Sequence, residues 1–403
     1  IMEIMKKCAA KHNLVCLLHE KPFAGVAGSG KHNNWSLATD GGKNLFSPGK
    51  TPAQNARFLV FLAAFIAGVD EYQDLLRCSV ASAGNDHRLG ASEAPPAIIS
   101  IFVGDELSAI IRSLIEGTNY KTPEKQMLRI GVDVLPPIPQ DTTDRNRTSP
   151  IAFTGNKFEL RMLGSSQSIA EPNIALNTIM AEKLHQFADA LEHAENFDAA
   201  LHDLVGETFR KHQRILFEGN GYSDQWKAEA ARRGLSNLAS TAVCLPAMIS
   251  EKNISLVVRH GIYTEPEFRA RYAIYLDGYN KTVSIEAKTM VDMAIRQILP
   301  AALRYSHELS DTLIAKKNLG LPGNAESALL LQLSQQTEAL FKAVNKLRDS
   351  LASLPKDAVS IARHFQDVVI PCMNSVRSAA DVLETLTDKA YWPYPTYSDL
   401  LYY

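Results

Sequence analysis

Lys157, Glu159 and Arg161 alternate with Phe158, Leu160 and Met162 in the run GNKFELRM. Successive side chains of an extended strand point to opposite faces, so one face here is apolar and the other sets a carboxylate between two cations. Such a row suits a polyphosphate with a divalent ion, because the cations offset phosphate charge and the carboxylate holds the metal. A solvated strand face with a salt bridge would use the same residues. Three further stretches concentrate polar groups. KHNNWS puts His32, Asn34 and Ser36 on one face of a period-two segment. GNDHRLGASEAPP carries Arg88 and Glu93 in a Gly/Pro-rich loop, and LPPIPQDTTDRNRTSP holds Arg145 and Arg147 between prolines. Taken singly, a histidine such as His32 is ordinarily a satisfied side chain rather than a ligand.

The glycines at 25, 28 and 30 raise a nucleotide-loop question. Gly25, Gly30 and Lys31 fall where a P-loop would place them, but His32 stands where the magnesium-binding hydroxyl belongs. A P-loop also needs a helix immediately after it, so that helix N-terminal amides cradle the phosphates. The residues that follow Lys31 alternate and run into Gly41-Gly42, which predicts a strand and a turn instead.

These groups must be positioned by a framework of mixed elements up to about residue 165. NARFLVFLAAFIAGVDEYQDLLRCSV has helical spacing, and PAIISIFVG, AFTG and KFELRM read as short strands. From residue 173 the pattern becomes helical, with Leu176, Ile179, Met180, Leu184, Phe187 and Leu191 on one face. Thr264 and Glu267 form a candidate capping box that opens a helix expected to run past Ser310. Two more amphipathic segments, from 322 to 354 and from 356 to 388, predict an antiparallel helical hairpin. The aromatic ending YWPYPTYSDLLYY is expected to dock as a tail.

With 403 residues, 46% hydrophobic and 21% charged, the chain has globular composition and room for two domains. A net charge of -2 and dispersed basic residues give no nucleic-acid footprint. No apolar stretch reaches the length of a membrane span, so no membrane partner is expected. Five scattered cysteines without a C-x-x-C pair fit a reducing compartment and a cytoplasmic location. The opening IMEIMKKCAAKHN reads as a helix under way before any cap, which leads us to expect further machinery outside these residues.

In order along the chain, AGSGKH, RLGASEAPPAIISIF, DRNRTSP and GNKFELRMLGSSQSIAEPN resemble the C-terminal half of the glutamine synthetase catalytic domain. The longer run HEKPFAGVAGSGKHNNWS is most similar to the type III form. The resemblance covers essentially the whole chain. It implies an α+β fold: the C-terminal part of that catalytic domain over residues 1–195, a curved and mainly antiparallel sheet with helices, then an all-α extension over 196–403.

The resemblance also implies roles. His32 and Glu159 would be ligands of one magnesium or manganese ion. Arg147 and Arg161 would stabilise the transferring phosphoryl group, and Asn34, Ser36 and Lys157 would lie on the ATP side. Gly28 would bring its backbone against glutamate, Arg88 would hold a substrate carboxylate, and Glu93 would sit on a flap that closes over the intermediate and helps deprotonate ammonium. The implied reaction joins ammonia to glutamate through a γ-glutamyl phosphate at the expense of ATP, in a ring-shaped homo-oligomer, a dodecamer, with sites shared between subunits. Two positions depart from the family pattern: Ala27 replaces the asparagine that opens the signature loop, and Leu163 replaces the proline of RMPGS. Ala27 keeps open a catalytically compromised or truncated homologue with an assembly or regulatory role. A ligase of the same superfamily joining another amine to glutamate also remains, since these motifs do not describe the amine pocket.

Overall fold

The computed structural model describes residues 1–23, 25–91, 94, 96–118, 120, 127–128, 138–139, 149–396 and 399. In chain order it forms α1 (Met2–Lys11), β1 (Gly30–Trp35), α2 (Ala56–Glu71), α3 (Gln73–Cys78), α4 (Ala83–Arg88), β2 (Ile101–Phe102), α5 (Asp105–Glu116), β3 (Met127–Leu128) and β4 (Ile138–Pro139). There follow β5 (Ile151–Phe153), β6 (Phe158–Gly164), α6 (Ala170–Glu192), α7 (Phe197–His212), α8 (Asp224–Arg232), α9 (Thr241–Met248), α10 (Glu251–Arg259) and α11 (Glu265–Met293). The last helices are α12 (Leu299–Asn318), α13 (Asn324–Ala352), α14 (Ala358–His364) and α15 (Ile370–Leu386).

By packing, the chain divides into two compact units, one of residues 17–272 and one of 1–16 with 273–403. The boundary expected at 195/196 therefore falls inside the first unit, because α7 packs on α2 and α5, and α9 on α3.

The first unit is built on a sheet of order β1-β6-β5-β2, in which β6 pairs antiparallel with β1 and β5, and β2 pairs parallel with β5. The alternation read in GNKFELRM holds. Phe158, Leu160 and Met162 are buried, and Phe158 stacks on Phe65 of α2 at 3.6 Å between centroids. Helix α2 is apolar nearly all round and accordingly lies inside the unit. It meets α6 closely at Gly68, where a Cβ would stand 3.3 Å from the Ile179 carbonyl oxygen. Helix α6 buries Leu176, Ile179, Met180 and Phe187 of its expected face. It also clips β1 from behind: Asn33 and Trp35 donate to the side-chain oxygens of Asn173 and Asn177 at 2.9 and 2.8 Å.

In the second unit, α12, α13 and α15 pack side by side. The Thr264 backbone N–H and hydroxyl both donate to Glu267 at 2.8 Å, so the capping box forms, and the helical run it opens continues to Asn318. That run contains Pro300, and the second hairpin arm contains Pro371. Each is preceded by a π-helical turn, Ala294–Ile298 and Phe365–Val369, which includes the residue four positions before the proline. A proline has no N–H for that carbonyl, and the wider turn accommodates the lost bond without ending the helix. The tail docks through Trp392, which is buried, and through Tyr391, whose hydroxyl donates to Glu308 of α12. Among the described residues no single helix is long and apolar enough to cross a membrane.

Candidate active site

The glycine loop rests on an arginine. Arg88, at the end of α4, is buried, and its Nη2 donates to the Arg161 carbonyl at 3.0 Å while Nη1 reaches the Met162 carbonyl at 3.3 Å. Burial pulls its guanidinium below the usual arginine value, while the charge of Glu20 opposes the shift. Gly30 passes directly over this group: a Cβ there would lie 2.2 Å from Nη2 of Arg88, and one on Gly28 would lie 2.7 Å from the Glu20 carbonyl oxygen. The glycines thus permit a close approach of backbone to Arg88. The strand that begins at Gly30 confirms that this is not a P-loop.

Strand β1 pairs with β6 from Gly30↔Gly164 to Trp35↔Phe158, with an irregularity between Lys31 and Asn33. His32 sits at that bulge, a local feature that re-aims a side chain beside a site. Its Nδ1 lies 2.7 Å from Oε1 of Glu159, and the other oxygen, Oε2, accepts from Nε of Arg161 at 3.1 Å. Exposure grades along the row, from 52% at the His32 side chain through 17% at Glu159 to 5% at Arg161. Burial would raise the Glu159 carboxyl, but the charge of Arg161 and the His32 hydrogen bond outweigh it and hold it below the usual glutamate value. The result is an ionised carboxylate between a solvent-facing imidazole and a buried guanidinium.

The remaining expected residues extend the row. Asn34 stands opposite Glu159 in the register and faces outward. The Ser36 hydroxyl donates to the Asn156 carbonyl at 2.9 Å, tying the end of β1 to the β5–β6 turn beside half-buried Lys157. The structure therefore brings His32, Asn34, Glu159 and Arg161 onto two neighbouring strands, with Ser36 and Lys157 flanking them and Gly28 and Arg88 beside the start of β1. Glu93, Arg145 and Arg147 lie outside the described residues.

One carboxylate escaped the sequence reading. Glu20 is 2% exposed, accepts from the Ser166 N–H at 2.9 Å and from the Ser166 hydroxyl, and receives the Ser29 N–H on its backbone oxygen at 2.7 Å. It ties the glycine loop to the end of β6. The available signal was a charged residue inside LLHEKPF, but its partners lie far along the chain.

Among the described residues no cluster of three metal-ligating side chains occurs. His32 and Glu159 supply one imidazole nitrogen and one carboxylate oxygen within hydrogen-bond distance of each other. That pair fits a fragment of a divalent-ion shell, the further oxygens of which would come from phosphate, water or other protein groups.

Comparison with known proteins identifies the family. The family model of the glutamine synthetase catalytic domain matches residues 1–124, and that of the glutamine synthetase C-terminal domain matches residues 200–317. The whole chain is 44% identical to a type-3 glutamine synthetase of Dictyostelium discoideum, 44% identical to a glutamine synthetase of Butyrivibrio fibrisolvens and 40% identical to one of Bacteroides fragilis. It spans 56%, 58% and 57% of their respective lengths. On motif order, fold and likeness over its full length, the chain belongs to the glutamine synthetase family.

Proposed function

We propose that the chain acts as part of a type III glutamine synthetase, in which ATP phosphorylates the side-chain carboxylate of glutamate and ammonia displaces phosphate to give glutamine. The observation that carries this proposal is the row His32–Glu159–Arg161, in which one carboxylate joins a solvent-facing ligand to a buried cation. Phosphoryl transfer depends on positioning and charge neutralisation more than on covalent chemistry from the protein, and this row is arranged for both.

His32 and Glu159 would hold magnesium or manganese, which when bound would offset the charge of the ATP phosphates. Arg161, fixed by Glu159, keeps its charge directed at the transferring group, with Arg147 as its expected companion. Lys157, Asn34 and Ser36 lie along or beside the same strands on the nucleotide side. Gly28 offers backbone to glutamate. Arg88 supports that wall from below, since its N–H groups are engaged by β6 carbonyls. Glu93 would close over the acyl phosphate and keep water away from it.

The same proposal makes the protein a cytoplasmic homo-oligomer, ring-shaped and dodecameric, with active sites shared between subunits. Exposed Ile274 and Ile285 along α11, and Leu303 and Ile314 along α12, support self-association, since within each helix a spacing of 11 residues returns to one face. We further place the functional division near residue 195, where the sheet-bearing motifs end.

The experiment is a manganese titration, followed by electron paramagnetic resonance, of the parent chain and of His32→Ala and Glu159→Gln with ATP present. Each substitution should weaken binding at least about tenfold. Equal affinity in parent and variants would remove the pair from the metal site.

A further inference from the structure

A cavity of about 420 Å³ lies between α5, residues 213–218 and α8, and none of the described candidate active-site residues lines it. Four of the described arginines line it, Arg112, Arg214, Arg232 and Arg233, against the carboxylates of Glu218 and Glu229. Glu229 is engaged by Arg232 and Arg233 at 2.7 Å each, and Arg214 pairs with Asp70 behind the wall at 2.9 Å. Among the described residues, with Asp70 counted, four cations face three carboxylates. Arg112 is exposed and forms no ion pair among the described residues.

The cationic side is held in place before any ligand arrives. Arg233 donates Nε to Glu229 at 2.7 Å and Nη1 to the Leu216 carbonyl at 2.8 Å, and its guanidinium lies over the Trp226 ring at 5.6 Å. Trp226 is buried and stacks on Phe217, which lines the cavity, at 3.7 Å. The opposite wall includes Ile111 and Leu216. A concave site of this size, with an apolar wall and a few convergent polar groups, is the form small-molecule sites take. A guanidinium fixed by other partners loses little freedom on accepting one more oxyanion.

We propose that this cavity binds a small organic carboxylate, its charged group on Arg112 and Arg233 and its apolar body against Phe217 and Ile111. The single excess positive charge matches a carboxylate, and the planar guanidinium suits its two oxygens.

The test uses 4-fluorobenzoate as probe, titrated into the parent chain without divalent metal and followed by fluorine NMR line width and tryptophan emission. Saturable binding is expected, with affinity at least about tenfold lower in Arg112→Glu. Because Arg112 is exposed and unpaired, that variant should keep the parent's thermal melt. Glu159→Gln should bind the probe as the parent does, and neutral 4-fluorobenzyl alcohol should bind at least about tenfold more weakly. Absence of saturable binding, equal affinity in Arg112→Glu, equal binding of the alcohol, or loss of binding in Glu159→Gln would each overturn the proposal.

Discussion

Glu159 joins His32 to Arg161, one oxygen 2.7 Å from the imidazole Nδ1 and the other 3.1 Å from the guanidinium Nε. The arrangement arises because a bulge in β1 aims His32 at the strand that carries the other two. Glu159→Gln keeps the shape but removes the charge, so it should lower divalent-metal affinity and disturb Arg161 together. His32→Ala should lower metal affinity alone. Calorimetric titration with manganese and then with ATP separates the two, and identical profiles for the variants would show that Glu159 does not couple the sites.

A steric prediction concerns the loop beneath. Gly30→Ala places a methyl 2.2 Å from Nη2 of Arg88, so the guanidinium must leave its β6 carbonyls. The expected loss is about 1–3 kcal/mol of stability, measured by urea unfolding. A parent-like midpoint would mean that the loop lifts away from Arg88 at little cost.

The acid limb of stability should depend on Glu182. This carboxylate is 1% exposed and meets His260 Nε2 at 2.7 Å, Gln186 Nε2 at 2.7 Å and the Arg259 guanidinium. Burial would raise it, but the hydrogen bonds from His260 and Gln186 and the charge of Arg259 hold it below the ordinary glutamate value. A depressed carboxyl contributes stability that is fully present above its unfolded value, about 4.3, and lost as pH falls through the lower folded value. Unfolding midpoints of the parent should therefore fall steeply below about pH 4.3. Glu182→Gln should be less stable by about 1–3 kcal/mol at neutral pH, because hydrogen bonds to a buried carboxylate lose their charge, and should show a shallower acid limb. An unchanged limb would contradict the assignment.

Ala27 is exposed, so Ala27→Asn should leave the fold unchanged. If the missing polar group weakens the substrate wall, the substitution strengthens glutamate binding by about three- to tenfold, the worth of one ordinary hydrogen bond. Calorimetry showing no gain would mean that the loop compensates elsewhere.

Much of this was legible where one element sees two media. The apolar face of β6, the period-two run of β1 and the α6 stripe each mark out the core within a few residues. The motifs placed six site residues on or beside two strands before any pairing was known. What stayed illegible depends on distant partners. Arg88 takes its place from carbonyls more than 70 positions away, and Asp70 meets His212 and Arg214 more than 140 positions away. The packing boundary near 272 was hidden for the same reason: α7, α8 and α10 carry the amphipathic pattern of any helix, and only their partners and those of apolar α9 tie them to the sheet-bearing unit. The π turns before Pro300 and Pro371 show why proline alone did not end those helices.

Removal of residues 323–403 takes away α13 to α15 and uncovers the face of α12 that packs on α13. Assembly should suffer more than nucleotide binding, because the candidate site lies in the unit of residues 17–272. Sedimentation velocity alongside an ATP titration decides this, and an intact oligomer would contradict it.

The most direct test of the central claim is ATP-dependent glutamine formation from glutamate and ammonium with magnesium. It should be measured on this chain alone, on a version extended to the length of its relatives, and on the extended version with Glu159→Gln. The expected result is glutamine from the extended protein, at most a trace from the chain alone, and a loss of at least about a hundredfold in the variant. A folded, oligomeric extended protein that makes no glutamine, or a Glu159→Gln variant as active as its parent, would contradict it.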